Sequence, residues 1–233
     1  MLAVGTVIHF EVGVKSEEAS RPALEALYQR FLETENSAAF VRAVAQRYTL
    51  PTLCRLADYG GCISRRAAVL AISFLGDYRQ NAALGAALCD RDRGVRMLAD
   101  NGIRELWRRQ GSIAEQKQLA LLSRLNSSGL YAECLTAAGE FIEASPWIAE
   151  GWNQRGIAHF AKEHFEDAAN DCHQTLELNA YHFGAAVGMG HCYLEMDEPF
   201  AALECFRRAL NLNPDLEEVR AQIDYLQRQL EGK

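Results

Sequence analysis

The sequence predicts an all-α fold, an α-solenoid (α-α superhelix) of stacked antiparallel helix pairs. Three observations predict it. Residues of the second half recur at an offset of 34 positions: Gly156 and Gly190, Ala168 and Ala202, Leu178 and Leu212, Asn179 and Asn213. Many independent matches at one such period mark stacked repeats. Apolar residues follow helical spacing along most of the chain, as at Ala23, Leu24, Leu27, Phe31 and Leu32. Pro and Gly, at 5 and 17 of 233 residues, are too sparse for long disordered or Pro-rich tracts.

From the N-terminus, residues 6–14 alternate and are rich in β-branched side chains. They read as one lone strand, which could pair with another chain, or as an extended arm over the solenoid. Met1 to Val14 is apolar but lacks a basic n-region and carries His9 and Glu11, so it is expected to belong to the fold and not to a signal peptide. Residues 17–48 read as two helices, the second carrying Phe40, Val41, Val44 and Ala45. Five further helices are expected over 50–58, 63–75, 79–89, 93–109 and 113–125. Ser64 to Leu75 matches Val95 to Leu106 at an offset of 31, aligning Ile72 with Ile103. The stretch Leu88 to Ala99 resembles a HEAT repeat, with Asp90, Val95, Arg96 and Ala99 in that family's slots. The short period is closer to the compact variety of bilin-lyase-like repeats. The resemblance implies that Arg96 bonds a neighbouring Asp, either Asp90 or Asp92.

The second half resembles the tetratricopeptide pattern W-x2-L-G-x2-Y…A-x3-F…P. One copy supplies Trp152, Gly156 and Ala168, with His159 in place of the Tyr, Cys172 of the Phe and Ala180 of the Pro. The next supplies Gly190, Tyr193, Ala202, Phe206 and Pro214, with Met189 in the Leu slot and Ala186 in the Trp slot. A degenerate first copy, from about Glu115 to Trp147, keeps Leu121 and Pro146 but has Leu122 where Gly belongs. The small residues let paired helices approach closely, and the large ones fill the space beside them. Asp215 to Glu231 reads as a closing helix, apolar along Val219, Ile223, Leu226 and Leu230 and polar elsewhere, as a terminal cap requires. The division is then 1–48, an N-terminal helical region with its arm; 49–112, HEAT-like; and 113–233, tetratricopeptide-like with the cap.

Charge is uneven: -1 over residues 1–59, +4 over 60–117 and -10 over 118–233. The acidic end argues against nucleic acid there. The seven cysteines are scattered and never form a C-x-x-C pair, which fits reduced thiols and a cytoplasmic setting. No apolar run approaches the roughly 18 residues of a membrane span.

No P-loop, G-x-G-x-x-G, H-E-x-x-H or G-x-S-x-G occurs, so neither an enzyme nor a cofactor is expected. His159, His164, His173, His182 and His191 crowd the acidic half. The pairs Cys172-His173 and His191-Cys192 diverge by about 100° on a helix, and no metal is expected. Arg91, Arg93, Arg96, Arg104, Arg108 and Arg109 could touch phosphates, but most alternate with acids as on a solvated face.

In the tetratricopeptide family the first helix of each repeat lines the concave face. Carried over, the resemblance places Asn153, Gln154, Ile157 and Phe160 in the groove from one repeat. The next repeat contributes Val187, His191, Leu194 and Glu195. One subfamily grips chaperone carboxylates with a Lys/Asn/Arg clamp. Its slots here hold Leu119, Ser123, Gln154, Gly184 and Gly188, which disfavours that ligand. The resemblance implies an adaptor or scaffold that binds a peptide or helix of another protein. The alternatives are a bilin-lyase-like enzyme in the HEAT-like part, or nucleic-acid or phosphate binding through 91–109.

Overall fold

The computed structural model describes residues 22–232, so the reading of residues 6–14 lies outside the described residues. Within them the chain is a succession of helices. The first six are α1 (Ala23–Thr34), α2 (Ser37–Ala45), α3 (Leu50–Tyr59), α4 (Cys62–Leu75), α5 (Asn81–Ala87) and α6 (Arg93–Arg108). Four more form two pairs, α7 (Ile113–Ser127) with α8 (Tyr131–Ala144), and α9 (Ala149–Ala161) with α10 (Phe165–Leu178). The last pair, α11 (Phe183–Glu195) and α12 (Pro199–Leu212), is closed by α13 (Glu217–Leu230). The fold is an all-α solenoid, and no strand occurs among the described residues.

Side-chain caps start several helices. Asn36 accepts from the Ala39 N–H at 2.9 Å and Asp92 from Val95 at 2.9 Å. Ser112 and Glu115 form a reciprocal capping box. The turns inside the last three pairs share one device. Gly129, Glu163 and Asp197, spaced 34 apart, all take left-handed φ values, of +72°, +62° and +58°. A glycine adopts that conformation freely, whereas Glu163 and Asp197 pay in strain of about 1 kcal/mol each.

Packing follows the repeat. Gly190 faces Phe206 so closely that an added Cβ would lie 2.5 Å from the ring. At the matching place one period earlier, a Cβ on Gly156 would meet the Asp171 Cβ at 3.2 Å. In the first half, Ile72 and Ile103 are both fully buried. Two bidentate pairs tie α4 to the loop before α6: Arg65 with Asp90 at 2.7 and 2.9 Å, and Arg66 with Asp92 at 2.7 Å for both bonds. Those arginines occupy both carboxylates expected to receive Arg96. Arg96 bonds the Asp90 backbone carbonyl at 2.9 Å instead, and the distant Asp215 carboxylate at 2.9 Å.

That last contact belongs to a seam. The turns that end α10 and α12 lie against the first half of the chain. Asn179 accepts from Asn81 at 2.8 Å, and Asn81 in turn accepts from the Trp107 indole at 2.8 Å. Asn213, one period on, donates to Asp100 at 2.8 Å. Tyr78 donates to the Leu178 carbonyl at 3.3 Å. Phe183 is buried within the first-half core, with Tyr181, Leu212 and Leu216 packed against it.

Candidate functional site

The seam brings α6 over the inner helices α7, α9 and α11, and the space left between them is a cavity of about 420 Å³. Asn153, Gln154, Ile157 and Phe160 of α9 and His191 of α11 line it. The other three groove residues lie elsewhere. Val187 lines a neighbouring depression beside Arg93 and Leu216, and Leu194 and Glu195 line neither space. Helix α6 borders both spaces, the cavity through Arg104, Trp107 and Arg108 and the depression through Arg93 and Arg104, and Val187 falls on the depression's side.

A buried carboxylate anchors the floor. Glu150 accepts from Gln154 at 2.7 Å, from Asn153 at 3.2 Å and from His182 at 3.2 Å. Burial pushes the Glu150 carboxyl up, but the bonds from His182, Gln154 and Asn153 outweigh it and hold the pKa below its ordinary value. His182 Nδ1 accepts from the Ala185 N–H at 2.9 Å, so the proton sits on Nε2 and is donated to Glu150. Asn153 and Gln154 are thereby already oriented by a buried acid, and Gln154 also accepts from Asn126 at 2.9 Å.

The walls are apolar and cationic. Ile157 is 44% exposed. Phe160 is half-buried, edge-on to Phe165 at 5.4 Å and to His191 at 6.5 Å. Burial also holds the His191 imidazole below its usual range, so it faces the cavity as a neutral ring near neutral pH. From α6 come Trp107, stacked on His182 at 4.1 Å, and two cations, Arg104 and Arg108. Arg104 lies over the Phe183 ring at 4.5 Å and pairs with Asp100 at 3.2 Å, while Arg108 pairs with Glu105. The clamp slots Ser123, Gln154, Gly184 and Gly188 do meet at this cavity. They carry no cation, as the sequence shows, but α6 supplies two from outside the repeats.

Sequence reasoning missed Trp107, and it noted His182 only as one of five histidines in the acidic half. A signal for His182 was present. It stands one period from Ile148 and from Leu216, at a helix-entry position that is apolar in both neighbours and buried here. A polar ring in an apolar slot marks a specific partner, and here there are two, Trp107 and Glu150.

A second polar cluster lies at the turn between α9 and α10. The Nδ1 atoms of His159 and His164 are 3.5 Å apart. Asp167 reaches within 4.0 Å of the same His159 nitrogen. Burial keeps the His159 imidazole below its usual range, against the pull of Asp171 and Asp167. Arg155 grips Asp171 with bonds of 2.9 and 2.7 Å. No helix among the described residues is long and apolar enough to cross a membrane.

No family model matches the sequence. Over 143 residues the chain is 24% identical to a TPR repeat-containing protein of Rhizobium etli, covering 61% of this chain and 70% of that one. Among solved structures it is similar to the first TPR domain of Spaghetti (RPAP3) bound to an HSP90 peptide, at 20% identity and a TM-score of 0.48, over 50% of this chain and 93% of that one. It is also similar to the TPR2AB domain of yeast Sti1 in its HSP90 complex (14% identity, TM-score 0.44, 87% and 95% covered). A third similar structure is a thermophilic TPR protein of Thermus thermophilus (18%, 0.39, 87% and 96%). The relative and the 34-residue spacing of the helix pairs point alike to tetratricopeptide-like repeats.

Proposed function

We propose that the chain is a protein-interaction adaptor, without catalysis of its own, that seats a short segment of a partner protein in the cavity between α6 and the inner helices. In this reading residues 49–112 form a HEAT-like wall, residues 113–233 the tetratricopeptide-like floor, and the setting is the cytoplasm. The observation that carries it is the lining: two apolar side chains, Ile157 and Phe160, stand beside amides already oriented by Glu150. Apolar walls with a few convergent polar groups are what recognition of a partner segment uses. The cavity, about 420 Å³ and open on one side, has room for the side chains of a partner segment.

Neither alternative gains an observation. Arg96, Arg104, Arg108 and Arg109 all have partners within the chain, which leaves little of the 91–109 segment for phosphates. A lyase of the bilin type needs a cysteine and an acid in a pocket of the HEAT-like part. There the exposed Cys62 lies beside Asp92, but Arg66 already holds that carboxylate through two bonds, and neither Cys62 nor Asp92 lines the cavity.

A photo-crosslinking residue placed at Ile157 in the full chain tests the proposal against one placed at Tyr59, which is 87% exposed and outside the cavity. Covalent capture of one discrete protein from Ile157 alone is expected, reduced about ten-fold or more by Phe160→Ala with Asn153→Ala. Equal capture from both positions, or capture unaffected by the double variant in a folded chain, would place the function elsewhere.

A further inference from the structure

One repeat departs from its own framework at five positions, and the fold gathers them. Moving 34 residues along the chain, Arg155, His159, His164, Asp167 and Asp171 become Met189, Tyr193, Glu198, Ala201 and Cys205. One period back they are Leu121, Leu125, Leu130, Glu133 and Ala137. The scaffold therefore does not require this polar set, since two repeats of the same build do without it.

The turn between α9 and α10 explains the convergence. With Glu163 left-handed, the N–H groups of Lys162 and His164 both reach the His159 carbonyl, each at 3.0 Å. His164 is thereby folded back beside His159, and their Nδ1 atoms meet at 3.5 Å. Asp167, in the first turn of α10, brings a carboxylate oxygen to 4.0 Å from that His159 nitrogen. One ligand atom from each of the three residues lies within 4.8 Å of the others. Two imidazole nitrogens held at 2.0–2.1 Å by one tetrahedral ion stand roughly 3.4 Å apart. The histidine pair already has that spacing, and the exposed Asp167 holds a carboxylate oxygen within 4.8 Å of a nitrogen of each.

The support behind the histidine is also present. His159 turns its other nitrogen, Nε2, toward the buried Asp171 at 4.0 Å, and Arg155 fixes Asp171 through two bonds. At that distance the two are not hydrogen-bonded, but a small approach would give the imidazole N–H the carboxylate acceptor that orients a ligating histidine. A depression of about 430 Å³, bordered by Asn170 and His173, opens on His159 and Asp167.

We infer that His159, His164 and Asp167 form a binding site for a divalent transition-metal ion, zinc being the ion their nitrogen and oxygen donors suit, with its remaining coordination left to water. Imidazole and carboxylate together select such ions over magnesium, which demands an octahedron of oxygens. The site would pin the end of α9 to the start of α10, apart from the cavity under α6.

The test is titration of the chelator-stripped full chain with zinc sulfate at neutral pH, by calorimetry and by thermal unfolding, with magnesium in parallel. One zinc per chain and a raised Tm are expected, with no response to magnesium. His164→Ala and Asp167→Asn alter exposed side chains and should each weaken zinc about ten-fold or more. His173→Ala and Cys192→Ala, outside the triad, should not. Absence of saturable binding overturns the inference. So does binding that survives His164→Ala or is lost with Cys192→Ala.

Discussion

The α9–α10 and α11–α12 pairs are two castings from one mould, and they differ where it matters. In α11–α12 the framework is apolar and tight: Gly190 admits the fully buried Phe206, and the neighbouring slots hold Met189, Tyr193 and Cys205. In α9–α10 the Phe slot holds Cys172, and the same neighbours become Arg155, His159 and Asp171, joined by bonds and close approach. The first pair shows what a repeat needs to stand. The second shows how much polar chemistry it can carry once a neighbour shares the core.

Substitutions should expose this asymmetry, and urea-unfolding midpoints would read each one. The largest effect belongs to Phe206→Ala, which removes a fully buried ring and should cost about 3–5 kcal/mol. Cys172→Ala at the matching position should cost only about 1 kcal/mol. Next is Gly190→Ala, whose methyl would press on Phe206 and should destabilise by about 1–3 kcal/mol. Gly156→Ala meets a looser contact and gains helix propensity, so its change should stay within about 1 kcal/mol. If the two glycine variants cost the same, the difference in tightness is not real. The smallest effect is a gain. Asp197→Gly gives the third repeat the residue that Gly129 supplies in the first, and relief of the left-handed turn should add about 0.5–1 kcal/mol.

What could be seen in the sequence follows from the same contrast. Steric slots show because few residues fit them, so Gly190, Ala202 and Phe206 announced the repeat and its helix pairing. The boundaries of α3, α4 and α6 fell within one residue of the expected 50–58, 63–75 and 93–109, because caps and glycines mark them. Asn153, Gln154, Ile157, Phe160 and His191 were named only through the family resemblance, and they line one cavity from two helices. The arrival of α6 could not be read, since it depends on contacts between residues about a hundred positions apart, such as Tyr78 with Leu178. Asn179 and Asn213 were visible as a repeat, but nothing local names Asn81 and Asp100 as their partners. The histidine triad was hidden for a different reason. From the sequence only Cys172-His173 and His191-Cys192 come into consideration as ligand pairs, and these diverge on a helix, whereas a turn with Glu163 at positive φ brings residues five and eight apart together.

The seam between the halves changes how the chain comes apart. An array in which each unit touches only its neighbours frays from its ends, and its stability is a sum of local terms. Here Arg96 holds Asp215 and Asn81 holds Asn179, so opening the last repeats strips partners from helices near the beginning. Loss of a unit at one end is felt at the other, and melting becomes all-or-none. The same distant contacts must be found during folding, after long stretches of chain have closed into loops. That makes folding slower than in an open stack of equal length. It also lets an event at the seam, such as a partner prising α6 from the inner helices, be registered by both halves at once.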